Sequence, residues 1–174
     1  MDISKVRIGA CQITYKGVNV GHTLDGVELT FEREFEDLTV DKYGSTPVDK
    51  ALTGHKLQAK FKLAQPDFYS LNIANPEGEG ADGTTGDRIG LGSDAGYLLR
   101  QDAGLLILRP LKNVASVDDS EDIQIYKAVS VENIELSYKV DEQRVVEVTM
   151  EALVDETYGT GRRLGHVGPA GVIS

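Results

Sequence analysis

The side chains of this chain best suited to bond-making chemistry are few and scattered. Its three histidines, His22, His55 and His166, stand in turn-like or terminal contexts, and none has a carboxylate or cysteine at a spacing that would fold into a metal site. Gly90-Leu91-Gly92-Ser93-Asp94-Ala95 partly fits a dinucleotide-binding glycine fingerprint. That chemistry needs a strand before the glycines and an amphipathic helix after them, to aim a helix N-terminus at a pyrophosphate, and neither pattern flanks this run. No Gly-Lys-Ser/Thr phosphate loop and no Gly-x-Ser-x-Gly elbow is present. Acid pairs such as Asp118-Asp119 and Glu121-Asp122 are common in so acidic a chain and read as solvated turns. Lys56, Lys60 and Lys62 fall on one face of an alternating run; contact with phosphates and protection of an edge strand explain them equally. Cys11 is the single cysteine, so it has no internal disulfide partner, and its apolar surroundings predict a buried, inert thiol. These residues predict no catalytic site, no metal and no cofactor.

The elements that would position any site are β-strands. A chain of 174 residues suits one domain and can bury a core without staples. Its formal charge of -10, from 28 acidic against 18 basic side chains, repels phosphate backbones and argues against general nucleic-acid binding. No run approaches the roughly 20 apolar residues that span a bilayer. The opening Met1-Asp2-Ile3-Ser4-Lys5 does not resemble a secretory leader, so folding in a reducing cytoplasm is expected.

Period-two alternation dominates the hydropathy. Val27, Leu29 and Phe31 alternate with Glu28, Thr30 and Glu32; Leu57, Ala59, Phe61 and Leu63 alternate with Lys56, Gln58, Lys60 and Lys62. Ile134, Leu136, Tyr138 and Val140 form a third such run, and Val146, Val148, Met150 and Ala152 a fourth, with the polar break Asp141-Glu142-Gln143-Arg144 between them predicting a hairpin. Less regular strands are predicted over Val6–Val20, Leu105–Arg109 and Ile123–Val129. Pro66 to Ala74 predicts one helix of about two turns, with Phe68 and Leu71, three apart, turned to the core. Residues 75–96, rich in glycine and acid, predict a long loop, and 158–174 an extended C-terminal arm. The predicted organisation is thus one β domain over 1–157 followed by the arm.

Three segments resemble the major tail tube proteins of long-tailed bacteriophages, which are related in fold to contractile tail tubes and the type VI secretion tube. They are Gly21-His22-Thr23-Leu24-Asp25-Gly26-Val27-Glu28-Leu29-Thr30; Lys42-Tyr43-Gly44-Ser45-Thr46-Pro47-Val48-Asp49 with Thr53-Gly54-His55 and the strand to Leu63; and the closing Arg144–Asp155, in that order. The likeness covers about two-thirds of the chain by eye; residues 75–96 and the C-terminal arm have no counterpart in it. It implies a mainly β fold of two packed antiparallel sheets, as a β-sandwich or incomplete barrel, with one short flanking helix. It further implies hexameric rings of one self-associating chain, stacked into a tube that conducts DNA from capsid to host without binding it specifically. Tail-tip or initiator, tape-measure and terminator proteins are the implied partners, the virion tail the implied location, and no membrane is involved.

On that reading the acidic faces Glu28 with Glu32 and Glu147 with Glu151 are candidates to line the lumen. Asp41, Lys42, Tyr43, Thr46, Pro47 and Asp49, within a predicted loop over Asp41–Thr53, are candidates to reach a neighbouring subunit. A baseplate, hub or secretion-tube subunit on the same scaffold stays open, since a fold hosts many functions. A ligand-binding β-sandwich is the rival from another class, and the lack of tryptophan, with seven tyrosines and four phenylalanines, supplies it few aromatic platforms.

Overall fold

A computed structural model of the chain describes residues 11–21, 23–64, 67–78, 89–111, 119–135, 145–159 and 161–169. Its strands are β1 (Cys11–Tyr15), β2 (Val18–Asn19), β3 (Thr23–Thr39), β4 (Pro47–Leu63), β5 (Gly104–Pro110), β6 (Ile123–Ser130), β7 (Val146–Ala152) and β8 (Gly165–Val167), with one α-helix, α1 (Phe68–Ala74). The chain is mainly β, every pairing is antiparallel, and the helix flanks the sheet.

The strands join in the order β2-β1-β5-β6-β7-β4-β3, with β8 added on β6, and the sheet does not close. Two separate packed sheets were expected, and one sheet is found because β6 belongs to both halves. β5 pairs one edge of β6 from Ile123 to Ala128, while the other edge pairs β8 at Ile123–Ile125 and β7 at Ala128–Ser130. A register shift between Gly104 and Leu106 on β5 accompanies this change of partner, as irregular pairing does where a strand turns a corner.

One apolar cluster fills the inner face. Ile13, Leu106, Leu108 and Ile125 come from one half of the sheet, Val146, Val148, Met150, Ala59, Phe61 and Leu63 from the other, and all are buried. Burial alternates along β7 and along the end of β4, which is the period-two pattern of a half-buried sheet. Cys11 lies partly buried beside the cluster, and burial pushes its thiol pKa up, away from the reactive thiolate.

Helix α1 begins at Asp67, whose carboxylate accepts from the Ser70 amide at 2.7 Å, a capping bond that satisfies a first-turn donor. Ile73 and Ala74 are buried, Leu71 and Tyr69 are packed against the cluster, and the Tyr69 hydroxyl donates to the Tyr15 carbonyl at 3.0 Å. Phe68 does not join Leu71 in the core: it is half exposed at the helix start, so the buried face runs through Leu71, Ile73 and Ala74.

Two further expectations change. Asp122, read as part of a solvated turn, is fully buried and takes a two-pronged contact from Arg109, Nε to both oxygens at 3.0 Å and Nη2 to Oδ2 at 2.6 Å. Of the arm expected over 158–174, residues 160 and 170–174 lie outside the described residues, and 161–169 do not run out as an extension. The chain turns at Asp155, which accepts from the Thr157 amide and hydroxyl, and returns so that β8 pairs β6 from Ile123↔Val167 to Ile125↔Gly165. Gly165 is required there, since a Cβ would sit 2.2 Å from the Gln124 carbonyl oxygen.

Of the loop over 75–96, residues 79–88 lie outside the described residues; its two described ends are tied by the Asn75 side-chain amide donating to the Gly90 carbonyl at 2.7 Å. The strand expected over 134–140 and its turn also lie outside the described residues, except Ile134 and Glu135. Phe61, at 2% exposure in the middle of the cluster, sets the scale of the packing term. Phe61→Ala is expected to cost about 3–5 kcal/mol, read as a lower urea midpoint at unchanged slope.

Candidate assembly surfaces

The longest element pair is also the most exposed. β3 and β4 have 17 residues each and form one hairpin paired from Thr23↔Leu63 to Thr39↔Pro47. Only its base lies over the core. From Phe31 to Asp49 every described residue is exposed, so the outer half of the hairpin stands clear of the domain. The loop expected over Asp41–Thr53 is therefore mostly strand. The turn is confined to 40–46, with a single 3-10 turn at Asp41–Tyr43 and Gly44 at φ 61°, ψ -130°, a conformation that glycine alone adopts without strain. Asp41, Lys42, Tyr43 and Thr46 form this tip, and Pro47 and Asp49 open β4.

Cross-strand pairs hold the projecting half in register. Phe31 stacks on His55 with ring centroids 5.5 Å apart and Lys50 meets Asp37 at 2.6 Å across the two strands, while within β3 the Arg33 guanidinium lies 5.7 Å over the Phe35 ring. Register places Leu29, Phe31, Phe35, Leu52 and Leu57 on the continuation of the core face. A register shift between Glu34 and Phe35 sets one extra β4 residue against this stretch, which bends a strand locally and strengthens its twist.

The opposite face gathers all four candidate lumen carboxylates. Phe61 and Leu63 point inward, so Lys56, Gln58, Lys60 and Lys62 point outward along the middle strand. Glu28 and Glu32 on β3 stand opposite Lys60 and Lys56; Glu147 and Glu151 on β7 stand opposite Lys62 and Gln58. Lys60 meets Glu147 at 2.8 Å and Glu132 at 3.7 Å, Lys56 meets Glu151 at 3.7 Å, and Lys62 meets Asp25 at 3.1 Å. The Gln58 amide donates to Glu151 at 2.9 Å and the Thr149 hydroxyl to Glu132. Six carboxylates thus surround three lysines, a ladder with an excess of acid rather than an unbroken acidic wall.

No family model matches the chain, and no curated protein does.

Its surfaces therefore stand on their own chemistry. Among the described residues no three histidine, cysteine or acidic side chains converge as metal ligands, and no helix is long and apolar enough to cross a membrane. What the sequence reading missed is β3 as a margin. This 17-residue strand pairs β4 on one edge and no described residue on the other. Hydropathy identifies a strand and its faces but does not say where in a sheet it lies, so no signal within β3 could have marked it.

The ladder makes one electrostatic expectation concrete. The hydrogen bond from Lys60, reinforced by its charge and that of Lys62, holds the Glu147 carboxyl below the ordinary glutamate range. A depressed folded pKa contributes stability above the unfolded value of about 4.3, and that contribution disappears as pH falls through the folded value. In an NMR titration Glu147 should have a midpoint below that of an unpaired glutamate, and Lys60→Gln should raise it towards the ordinary value.

Proposed function

We propose that this chain is a structural subunit of a bacteriophage tail tube, working by self-assembly into hexameric rings that stack around a DNA-conducting lumen. The observation that carries the reading is the outer edge of β3, which no described residue pairs. An uncovered strand of this length presents a row of backbone donors and acceptors, and a stable soluble chain normally shortens, bends or covers such an edge. Joining identical copies side by side until the sheet closes satisfies those groups without any covering segment.

The charge pattern favours joining unlike margins. β3 carries Glu28, Glu32, Glu34, Glu36 and Asp37, so two β3 margins repel one another. The described residues of the other margin, 11–21, contain no acid and one lysine, Lys16. A contact between different patches of identical copies closes into a ring where its rotation allows. In such a ring the outward ladder of Glu28, Glu32, Glu147 and Glu151 supplies the acidic excess that keeps a DNA backbone from sticking. The resemblance to tail tube proteins selects this assembly from the other ring-forming uses of a β domain.

Two preparations test it by electron microscopy. The full chain at high concentration should give rings or tubes of uniform bore, and persistent monomers would remove the proposal. A chain in which Glu34 is joined to Gly54 through Asn-Gly, removing the projecting half of the hairpin, should unfold as cooperatively as the parent and form no tubes. Tubes of normal length from that chain would show that the hairpin has no part in stacking.

A further inference from the structure

A groove of about 690 Å³ opens where the base of the hairpin meets the returning C-terminal segment. Leu29, Phe31 and Leu57 supply one apolar wall, and Ile123, Val154 and Leu164 supply the other. Leu57, Ile123 and Leu164 also pack against the core cluster, so both walls are anchored to the domain and the groove is preformed. Phe31 is 55% exposed and Val167, at the rim, is 71% exposed, so one side opens to solvent. Sites for small organic molecules are usually apolar clefts of roughly 300–1,000 Å³ with a few convergent polar groups.

The charged lining of this groove has one sign. His55, Arg162 and Arg163 line it and no described carboxylate does, although acids outnumber bases 28 to 18 in the chain. His55 follows the register of Leu57 and Ala59, so its ring stands on the core-facing side of β4, stacked on Phe31. Arg163 is exposed, and its carbonyl accepts from the Asp155 amide at 2.9 Å, which fixes the backbone that carries the guanidinium. No carboxylate among the described residues pairs with that guanidinium.

We infer that this groove binds an amphipathic organic anion of the fatty-acid class, with its unbranched chain between the two apolar walls and its carboxylate at Arg163 and His55. Walls of leucine, isoleucine, valine and phenylalanine take a methylene chain out of water, and a planar guanidinium fork matches a carboxylate. A nucleotide is a poorer occupant, because these walls would strip its polar sugar of water without replacing the hydrogen bonds. An organic cation is poorer still, since no carboxylate here compensates its charge. The groove uses a face of β3 and not its outer edge, so the inference is independent of the assembly reading.

Isothermal titration calorimetry of the full chain with decanoate, at neutral pH and below its micelle-forming concentration, tests the site. Decanoate should bind saturably at a single site. From octanoate upward, affinity should rise roughly fourfold for each methylene buried and level off once the groove is full. Arg163→Glu should weaken decanoate about tenfold at low salt, and by less at 1 M salt where the Debye length is about 3 Å. The same substitution should leave binding of decan-1-ol unchanged, whereas Phe31→Gln should weaken acid and alcohol alike. Both positions are exposed, and far-UV circular dichroism checks that each variant keeps the parent fold.

Binding that never saturates, or that Arg163→Glu leaves unchanged, would reduce the effect to adsorption on apolar surface and overturn the site. Absence of binding would overturn it too, as expected where a neighbouring copy or another protein segment fills the groove. Decanoate held at this site by a chain that forms neither rings nor tubes would retain the groove assignment and reject the tube.

Discussion

The fold depends on how β6 divides its hydrogen bonds. Its first residues are bonded on both edges, by β5 and β8, and its last residues carry β7, through which β4 and β3 attach. Six of its eight residues are buried, including Gln124 and Ser130. A buried strand must have its amides and carbonyls bonded, because an unsatisfied group inside costs about as much as a lost hydrogen bond. The returning C-terminal segment meets that requirement where β7 does not reach. Docking of β8 is therefore part of completing the sheet.

The pairing of part-exposed Arg109 with buried Asp122 acts in the same region. It links the end of β5 to the residue before β6, and the Asp122 carbonyl accepts from the Gly168 amide just beyond β8. A buried carboxylate needs both its charge and its lone pairs compensated, and here guanidinium contacts engage both oxygens. β5, β6 and β8 are thus tied at one residue, through the Asp122 carboxylate on one side and its backbone carbonyl on the other.

Much of the fold was legible because alternation reports burial on one face. The runs through Phe61 and Met150 gave strands with the correct faces, and Asp67 with its following apolar residues gave the helix. Where a strand has no core beneath it, alternation loses its cause. Over Val48-Asp49-Lys50 both faces meet solvent, so those residues read as loop and are in fact strand, and Glu34-Phe35-Glu36-Asp37, solvated on both faces too, extends β3 beyond the alternating run that ended at Glu32. Residues 161–169 have no periodicity because a three-residue strand is too short to show one. Asp122 read as solvated because composition cannot reveal an ion partner on a neighbouring strand. The candidate carboxylates were legible as faces, but the compensating lysines became their partners only once β4 was placed between β3 and β7.

The hairpin is a cantilever with an abrupt change of support along its length. Its root is clamped by Ala59, Phe61 and Leu63 in the core, whereas beyond Phe31 and His55 only its own ladder and a few surface pairs resist bending. Two-stranded ribbons without a packed face are marginal in water. Compliance should therefore concentrate near the irregular pairing at Glu34 and Phe35. Any contact that fixed such a beam would take up this compliance, an entropic cost that leaves the contact weaker than its buried area suggests.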